Sequence, residues 1–190
     1  MTMDKAPLVM VGKTDNAVSD AAGLVAAAER ASKKGPAPVH LWNPPFCGDL
    51  DMEIRADGTW FYQGTPIGRH RMVQLFASIL KREGDAYFLV TPVEKVGIRV
   101  VDAPFVAVDA DIGRDITFTT NVGDSVTAGP DHTIEMRGTA DEPRPYIHVR
   151  RGLWALIDRK TFYRLADAAT PGTDGRMELH SGGTVFPLEH

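Results

Sequence analysis

An α+β fold in two related halves is what this chain of 190 residues predicts, and three observations carry the prediction. A unit recurs: Gly58-Thr59-Trp60 followed by Ile67-Gly68-Arg69, and Gly152-Leu153-Trp154 followed by Ile157-Asp158-Arg159. Each copy reads as a glycine turn, a strand carrying tryptophan and a helix entered through Ile-x-Arg, so a strand-turn-strand-helix unit is expected twice. Short apolar runs bounded by Gly, Asp and Asn fill most of the remaining length, the pattern of antiparallel strands. The 3.6-residue apolar period of a helix, by contrast, is confined to a few stretches.

Residues 1–17 carry few regular signals and read as an N-terminal arm. From Ser19 or Asp20, a capping residue type, an alanine-rich helix runs through Leu24, Val25, Ala28 and Ala31 to a stop at Lys33-Lys34-Gly35-Pro36. Pro36, Pro38, Pro44 and Pro45 then keep the backbone extended or looped. Residues 50–55 and 59–63 flank Asp57-Gly58, a strong hairpin signal. Met72, Val73, Leu75, Phe76, Ile79 and Leu80 recur at helical spacing, predicting a core-facing helix that ends at Gly84. Residues 87–90 and 96–101 read as strands.

Asp102-Ala103-Pro104 is the expected boundary, giving a first domain over 18–103 and a β-rich second domain over 104–190. Strands at 105–108, 116–121, 125–128 and 133–136 suggest an antiparallel meander. Strands at 146–149 and 154–157 follow, around a turn at Arg151-Gly152. A packed helix then starts at Asp158 or Arg159, with Phe162, Leu165 and Ala169 on one side, and ends at Pro171-Gly172. A last hairpin is expected around Gly182-Gly183. Leu188-Glu189-His190 resembles the first residues of an expression tag, so His190 carries no weight.

Apolar residues make up 43% and charged residues 24% of the chain, ordinary values for a globular protein. The formal charge of −4 speaks against non-specific nucleic-acid binding, which needs surplus Lys and Arg to neutralise phosphates. No run approaches the roughly 20 apolar residues that cross a bilayer, and the start lacks an apolar signal core. Cys47 is the sole cysteine. The expectation is a cytoplasmic protein with no nucleic-acid partner and no membrane insertion.

Charge is unevenly spread. From 102 to 142 acids such as Asp102, Asp109 and Asp124 face only Arg114 and Arg137, whereas from 143 to 164 Arg144, Arg150, Arg151, Arg159, Lys160 and Arg164 face only Asp158. Either the two segments neutralise each other across one sheet, or the second offers a surface to an anion.

Several motifs fail on inspection. Gly12-Lys13-Thr14 lacks the glycine five positions earlier that a phosphate loop requires, since Pro7 stands there. The stretch from Asp109 to Asp115 has its glycine one place early for a calcium loop, and Thr120 stands where a glutamate is needed. The histidines have no partners at metal-ligand spacing. Cys47, beside Phe46, reads as a small core hydrophobe or as a reactive thiol. No nucleophile motif occurs, and Glu94 and His70 are the sole acid/base candidates near the suspected site, so no catalytic residue, metal or cofactor is assigned.

The paired arginines are more informative. Arg69 and Arg159 fall at helix N-termini, where the helix dipole disfavours a cation. A carboxylate such as Glu94 or Asp102, or an anionic ligand held with the free helix N–H groups, would offset this. Trp60 and Trp154 read as core plugs under their helices, or as a surface on which a flat ring stacks, with Tyr163 one turn after Arg159.

The stretches Trp42-Asn43-Pro44, Asp51-Met52-Glu53-Ile54, Asp57-Gly58-Thr59-Trp60, Pro66-Ile67-Gly68-Arg69, Leu75-Phe76, Thr91-Pro92-Val93-Glu94-Lys95 and Asp102-Ala103-Pro104-Phe105, with the later Arg151 to Arg159 and Phe162-Tyr163, resemble the bacterial domain-of-unknown-function 1285 family. The resemblance spans roughly residues 36–187. It implies a duplicated core, a second half that is superficially pleckstrin-homology-like, a nucleotide-like ligand at the interface of the halves and a role in signalling. It also makes Arg69, Thr91, Glu94, Lys95 and Arg159 the recurrent polar positions. Joined to the reading of the residues, the expected ligand site is Arg69, Thr91, Glu94, Lys95, Arg159, Trp60 and Tyr163, in a regulatory module for a small anion. The alternative is a protein-interaction adaptor that uses the β-rich second half and takes no small molecule.

Overall fold

Asp20 accepts a hydrogen bond from the Gly23 amide at 2.8 Å and so starts helix α1, Ala21–Ala31, whose buried face is Ala21, Leu24 and Ala28. The computed structural model describes residues 20–32 and 37–189. The arm at 1–17, the helix stop at Lys33-Lys34-Gly35-Pro36, Gly12-Lys13-Thr14 and His190 lie outside the described residues.

The proline-rich stretch folds into a 3-10 turn, Val39–Leu41, before the first sheet. That sheet contains β1 (Phe46–Ile54), β2 (Trp60–Tyr62), β3 (Thr65–Pro66), β4 (Leu80–Glu83), β5 (Ala86–Val90) and β6 (Lys95–Val100) in the order β3-β2-β1-β6-β5-β4. Its central pair, β1 and β6, is parallel. Asp57 and Gly58 make the expected turn between β1 and β2: the Asp57 carboxylate accepts from the Thr59 amide at 2.9 Å, and Gly58 takes φ of 81°.

Helix α2, His70–Ser78, links β3 to β4 and buries Val73, Phe76 and Ala77. It is shorter than its apolar spacing predicts. The Ser78 hydroxyl turns back to the Leu75 carbonyl at 2.6 Å, and Leu80 to Glu83 leave the helix to pair with β5. Ile79 and Leu80 fit helical spacing equally well as the start of a strand, and cross-strand pairing decides between the two.

The second sheet holds β7 (Phe105–Ile112), β8 (Ile116–Thr120), β9 (Ser125–Thr127), β10 (Ile134–Gly138), β11 (Pro143–Arg150) and β12 (Leu153–Ile157), in the order β10-β11-β12-β7-β8-β9. It is antiparallel except at its centre, where β12 runs parallel to β7. Helix α3, Arg159–Ala168, follows, with Asp158 as its cap accepting from the Thr161 amide at 2.7 Å. Strands β13 (Thr170–Pro171), β14 (Met177–Ser181) and β15 (Thr184–Pro187) form a small third sheet. Leu188 belongs to the fold: it is buried, and its amide donates to the Met177 carbonyl at 2.9 Å.

Counted from β1 and from β7, the two large sheets share one strand order, 3-2-1-6-5-4, each with its first and sixth strands parallel. The repeated sequence unit does not follow that correspondence. Trp60 lies on β2 and Trp154 on β12, while α2 joins β3 to β4 and α3 succeeds β12. The recurrence therefore marks two strand-to-helix corners at different places in the two sheets.

One buried cluster runs through both halves, from Leu24 and Trp60 to Phe105, Phe118 and Leu165. Hydrogen bonds stitch the halves together: Gln74 Nε2 donates to the Val122 carbonyl at 3.0 Å, and Asn121 Nδ2 to the Gly58 carbonyl at 3.2 Å. No helix among the described residues is long and apolar enough to cross a membrane.

Candidate functional site

Strand β11 ends in Arg150, and Arg151 and Gly152 turn the chain into β12. Both turn residues have positive φ, 45° and 75°, as a tight two-residue hairpin requires. Glycine takes this conformation freely, whereas a residue with a Cβ is held there at a cost of roughly 1–2 kcal/mol. Nothing in turn chemistry asks for arginine at that place, so the backbone outlier directs attention to what the hairpin borders.

It borders a cavity between the halves of about 730 Å³, enclosed by the 3-10 turn, β4 and the β11–β12 hairpin. Val39, Leu80 and Leu153 supply apolar wall. Its polar lining is Lys81, Arg82, Arg150 and Arg151 with His40 and Ser78, and no carboxylate among the described residues. A second cavity of about 250 Å³ shares Ser78 and Arg150 with it and adds Arg71, Gln74 and Asp124.

These cations are held to different degrees. Arg150 is held by the Asp124 carboxylate of its own half and, across the seam, by the Ala77 carbonyl, 2.9 Å from Nη2. Arg82 donates from Nη1 to the Gly152 carbonyl at 3.2 Å and from Nε to the Gly84 carbonyl at 2.7 Å. Lys81 shares Glu83 with Lys95, each ammonium 2.9 Å from one carboxylate oxygen, and those two contacts hold the Glu83 carboxyl below the usual range. Arg151 enters no ion pair among the described residues. Its Nη2 lies 3.3 Å from His40 Nε2, and because a guanidinium only donates, that nitrogen accepts and His40 is neutral in this contact.

The residues singled out from the sequence fall elsewhere. Arg69 caps α2 without a side-chain hydrogen bond and lines a groove with Ala22, Val25 and Met72 between α1 and α2. Arg159 and Tyr163 line a separate cavity beside Arg144 and Phe162, and Tyr163 is 59% exposed. The two arginines thus do not converge, and neither lines the cavity between the halves. Of the expected carboxylate partners, Asp102 is engaged elsewhere: it binds Arg144 at 2.8 Å and the Tyr146 hydroxyl at 2.8 Å.

Trp60 is a core plug, 1% exposed and stacked on Phe76 with ring centroids 6.1 Å apart, which removes it from any ligand. Thr91 is fully buried, and its hydroxyl accepts from the Glu94 amide at 3.2 Å, so it shapes the turn before β6. Burial, with Asp20 nearby, pushes the half-buried Glu94 carboxyl up. Lys95, on β6, which β5 separates from β4, is paired with Glu83 and lies 4.9 Å from the centre of the Phe88 ring. Cys47 is exposed rather than a core hydrophobe, its thiol 3.4 Å from the Pro45 carbonyl.

The uneven charge is resolved in part by pairing. Arg144 meets Asp102, Arg150 meets Asp124 and Arg164 meets Asp109, joining the basic segment to the acidic one. Among the described residues Arg151, Arg159 and Lys160 enter none of these pairs, and Arg151 is exposed beside the cavity. Sequence reasoning missed His40, Lys81 and Arg82 as site residues; the one available signal was arginine preceding glycine in a hairpin turn that favours Asn or Asp.

The family model described as "Domain of unknown function (DUF1285), N-terminal domain" matches residues 37–103, and "Protein of unknown function (DUF1285), C-terminal domain" matches residues 104–188. No curated protein matches the chain. The chain is similar to a crystal structure of a DUF1285 family protein from Silicibacter pomeroyi DSS-3, with 61% identity and a TM-score of 0.80, over 88% of this chain and 94% of that one. It is also similar to a family member from Shewanella baltica OS155, at 34% identity and a TM-score of 0.52, over 62% of this chain and 91% of that one. With both family models covering adjoining parts of it, the chain belongs to the DUF1285 family.

Proposed function

We propose that the protein is a regulatory or signalling module that holds a small anionic, nucleotide-like ligand in the cavity between its halves. The observation that carries this reading is the lining itself: Lys81, Arg82, Arg150, Arg151 and His40 converge with no carboxylate among them. A cavity walled by low-dielectric side chains and lined by one sign of charge concentrates the opposite charge. Arg151 is the primary contact, because Arg150, Arg82 and Lys81 already have partners. Leu80 and Leu153 offer apolar surface to the uncharged part of the ligand.

The shared strand order of the two sheets supports reading the halves as copies of one six-stranded unit. A β-rich second half closed by α3 is compatible with a superficial pleckstrin-homology likeness. The adaptor reading, with a partner on the second half, has less behind it: the large exposed apolar side chains Leu41, Phe46, Val93 and Val101 belong to the first half, against Tyr163 and Val185 in the second.

The test is thermal stabilisation by a panel of nucleotides and inorganic polyphosphates. At least one should raise the midpoint of the wild-type protein, and Arg151→Ala should abolish that rise while leaving the unliganded midpoint within a few degrees. Equal stabilisation of wild type and variant would remove the assignment.

A further inference from the structure

His148 lies on β11, and its imidazole is bound at both nitrogens by backbone. Nδ1 is 2.9 Å from the Asp131 carbonyl, and Nε2 is 3.1 Å from the Gly152 amide nitrogen. A carbonyl oxygen can only accept and an amide N–H can only donate, so both contacts hold together in one state: neutral, with the proton on Nδ1. The Gly152 amide that Nε2 receives belongs to the turn that carries Arg151, and the carbonyl of the same Gly152 is held by Arg82. One ring therefore fixes the backbone on which the least engaged cation of the larger cavity is mounted.

Protonation of His148 places a hydrogen on Nε2, where it confronts the Gly152 N–H. That hydrogen bond is then lost, and two like dipoles oppose each other. His132, from the loop before β10, stacks at 6.1 Å, and its Nδ1 donates to the His148 carbonyl at 3.0 Å. Trp154 on β12 abuts the ring at 5.1 Å, with Arg137 of β10 4.5 Å from the Trp154 ring and itself paired with Glu135. Arg150 and Arg151 follow on the same hairpin. The loop at Asp131 presents a carbonyl to the imidazole.

We propose that His148, as the neutral Nδ1–H tautomer, is the positioning residue of the Arg151–Gly152 turn, so that its protonation releases the turn and weakens anion binding in the seam. The coupling to the turn stands on the hydrogen-bond geometry; the effect on affinity rests on the function proposed above. His40 lines the same cavity and accepts from Arg151, so it bears on the site in parallel and has to be removed.

Two measurements test this on the full chain. In an NMR pH titration, the Gly152 amide should move with the same midpoint as the His148 ring nitrogens, and His148→Phe should abolish that movement. A Gly152 amide that stays still while His148 titrates overturns the assignment. Binding of inorganic pyrophosphate is then measured in His40→Gln and in His40→Gln/His148→Phe, at about pH 8 and about pH 5.5, either side of the imidazole range. Pyrophosphate itself gains a proton over this range and weakens in both, so the first should lose about fivefold more affinity on acidification than the second, the worth of one neutral hydrogen bond. The second should be the weaker binder at about pH 8. Equal falls in both overturn the proposed control of the site. Absence of pyrophosphate binding to wild type at either pH counts against the ligand reading and the control of affinity together, while the Gly152 titration still decides the positioning role.

Discussion

Arg82 reaches from β4 across the seam to the carbonyl of Gly152, 3.2 Å away, and so ties the first half of the chain to the hairpin of the second. The same guanidinium holds the Gly84 carbonyl at 2.7 Å. Its third contact, Asp85, is fully solvent-exposed and adds little.

Arg82→Ala should therefore act mainly by freeing the hairpin. A charge-assisted hydrogen bond to a carbonyl, partly exposed, is worth about 1–2 kcal/mol. Chemical denaturation should register that loss, and hydrogen exchange should localise it: the Arg151 and Gly152 amides should exchange faster while amides of β1 and β6 keep their protection. Uniform loss of protection would mean that Arg82 supports the whole first sheet instead.

Gly58 is required twice over. Its φ of 81° disfavours a side chain, and a Cβ there would stand 2.7 Å from Asn121 Nδ2 and 2.8 Å from Val106 Cγ2. Asn121 cannot retreat freely, because its amide donates to the Gly58 carbonyl and its oxygen accepts from the Val106 amide at 3.0 Å. Gly58→Ala should cost more than the about 1 kcal/mol of backbone strain alone. In denaturant titrations it should be distinctly worse than Gly64→Ala, whose φ is 75° with nothing within 4 Å of the added carbon. Equal costs would show that the close approach of the halves at Asn121 is unimportant.

These positions also indicate what a single sequence can disclose. Asp57-Gly58 and Asp158 act through turn and cap chemistry within three residues, and local chemistry of that kind is legible. The end of α2 was not legible, because Ile79 and Leu80 satisfy a helical and a strand pattern alike until β5 supplies a partner. The seam was still further out of reach. It is assembled from His40, residues 81–82 and residues 150–153, and no local period brings those together. The recurrence of Trp and Ile-x-Arg is a local signal too: it marks two strand-to-helix corners without saying which faces of them meet.

The Glu83 carboxyl, held down by Lys95 and Lys81, gives a pH prediction whose sign can be worked out. A carboxyl depressed in the folded state contributes stability above its unfolded value, and that contribution disappears as pH falls through the folded value. Glu83→Gln should be less stable than wild type at neutral pH. The gap should close as the pH drops below about 4.3, the ordinary glutamate value. The effect is small because the side chain is 36% exposed and solvent screens both contacts. Urea midpoints at neutral and acid pH measure it, and a gap that widens on acidification would contradict the pairing.

Arg151 combines a backbone penalty with the most available charge in the cavity, and the two properties separate on substitution. Asparagine tolerates the left-handed region far better than arginine, so Arg151→Asn should raise the stability of the unliganded protein by about 0.5–1 kcal/mol, seen as a higher melting midpoint. The gain costs nothing in ion pairing, since Arg151 enters no ion pair among the described residues. The same variant lacks the guanidinium that faces His40 and should lose stabilisation by any anion that protects the wild type. A more stable protein that no longer responds to ligand is the pattern expected where strain is retained for binding. A variant that gains stability and keeps its response would leave the turn strained without a function, and one that loses stability would mean the Arg151 side chain is held by contacts that outweigh its backbone.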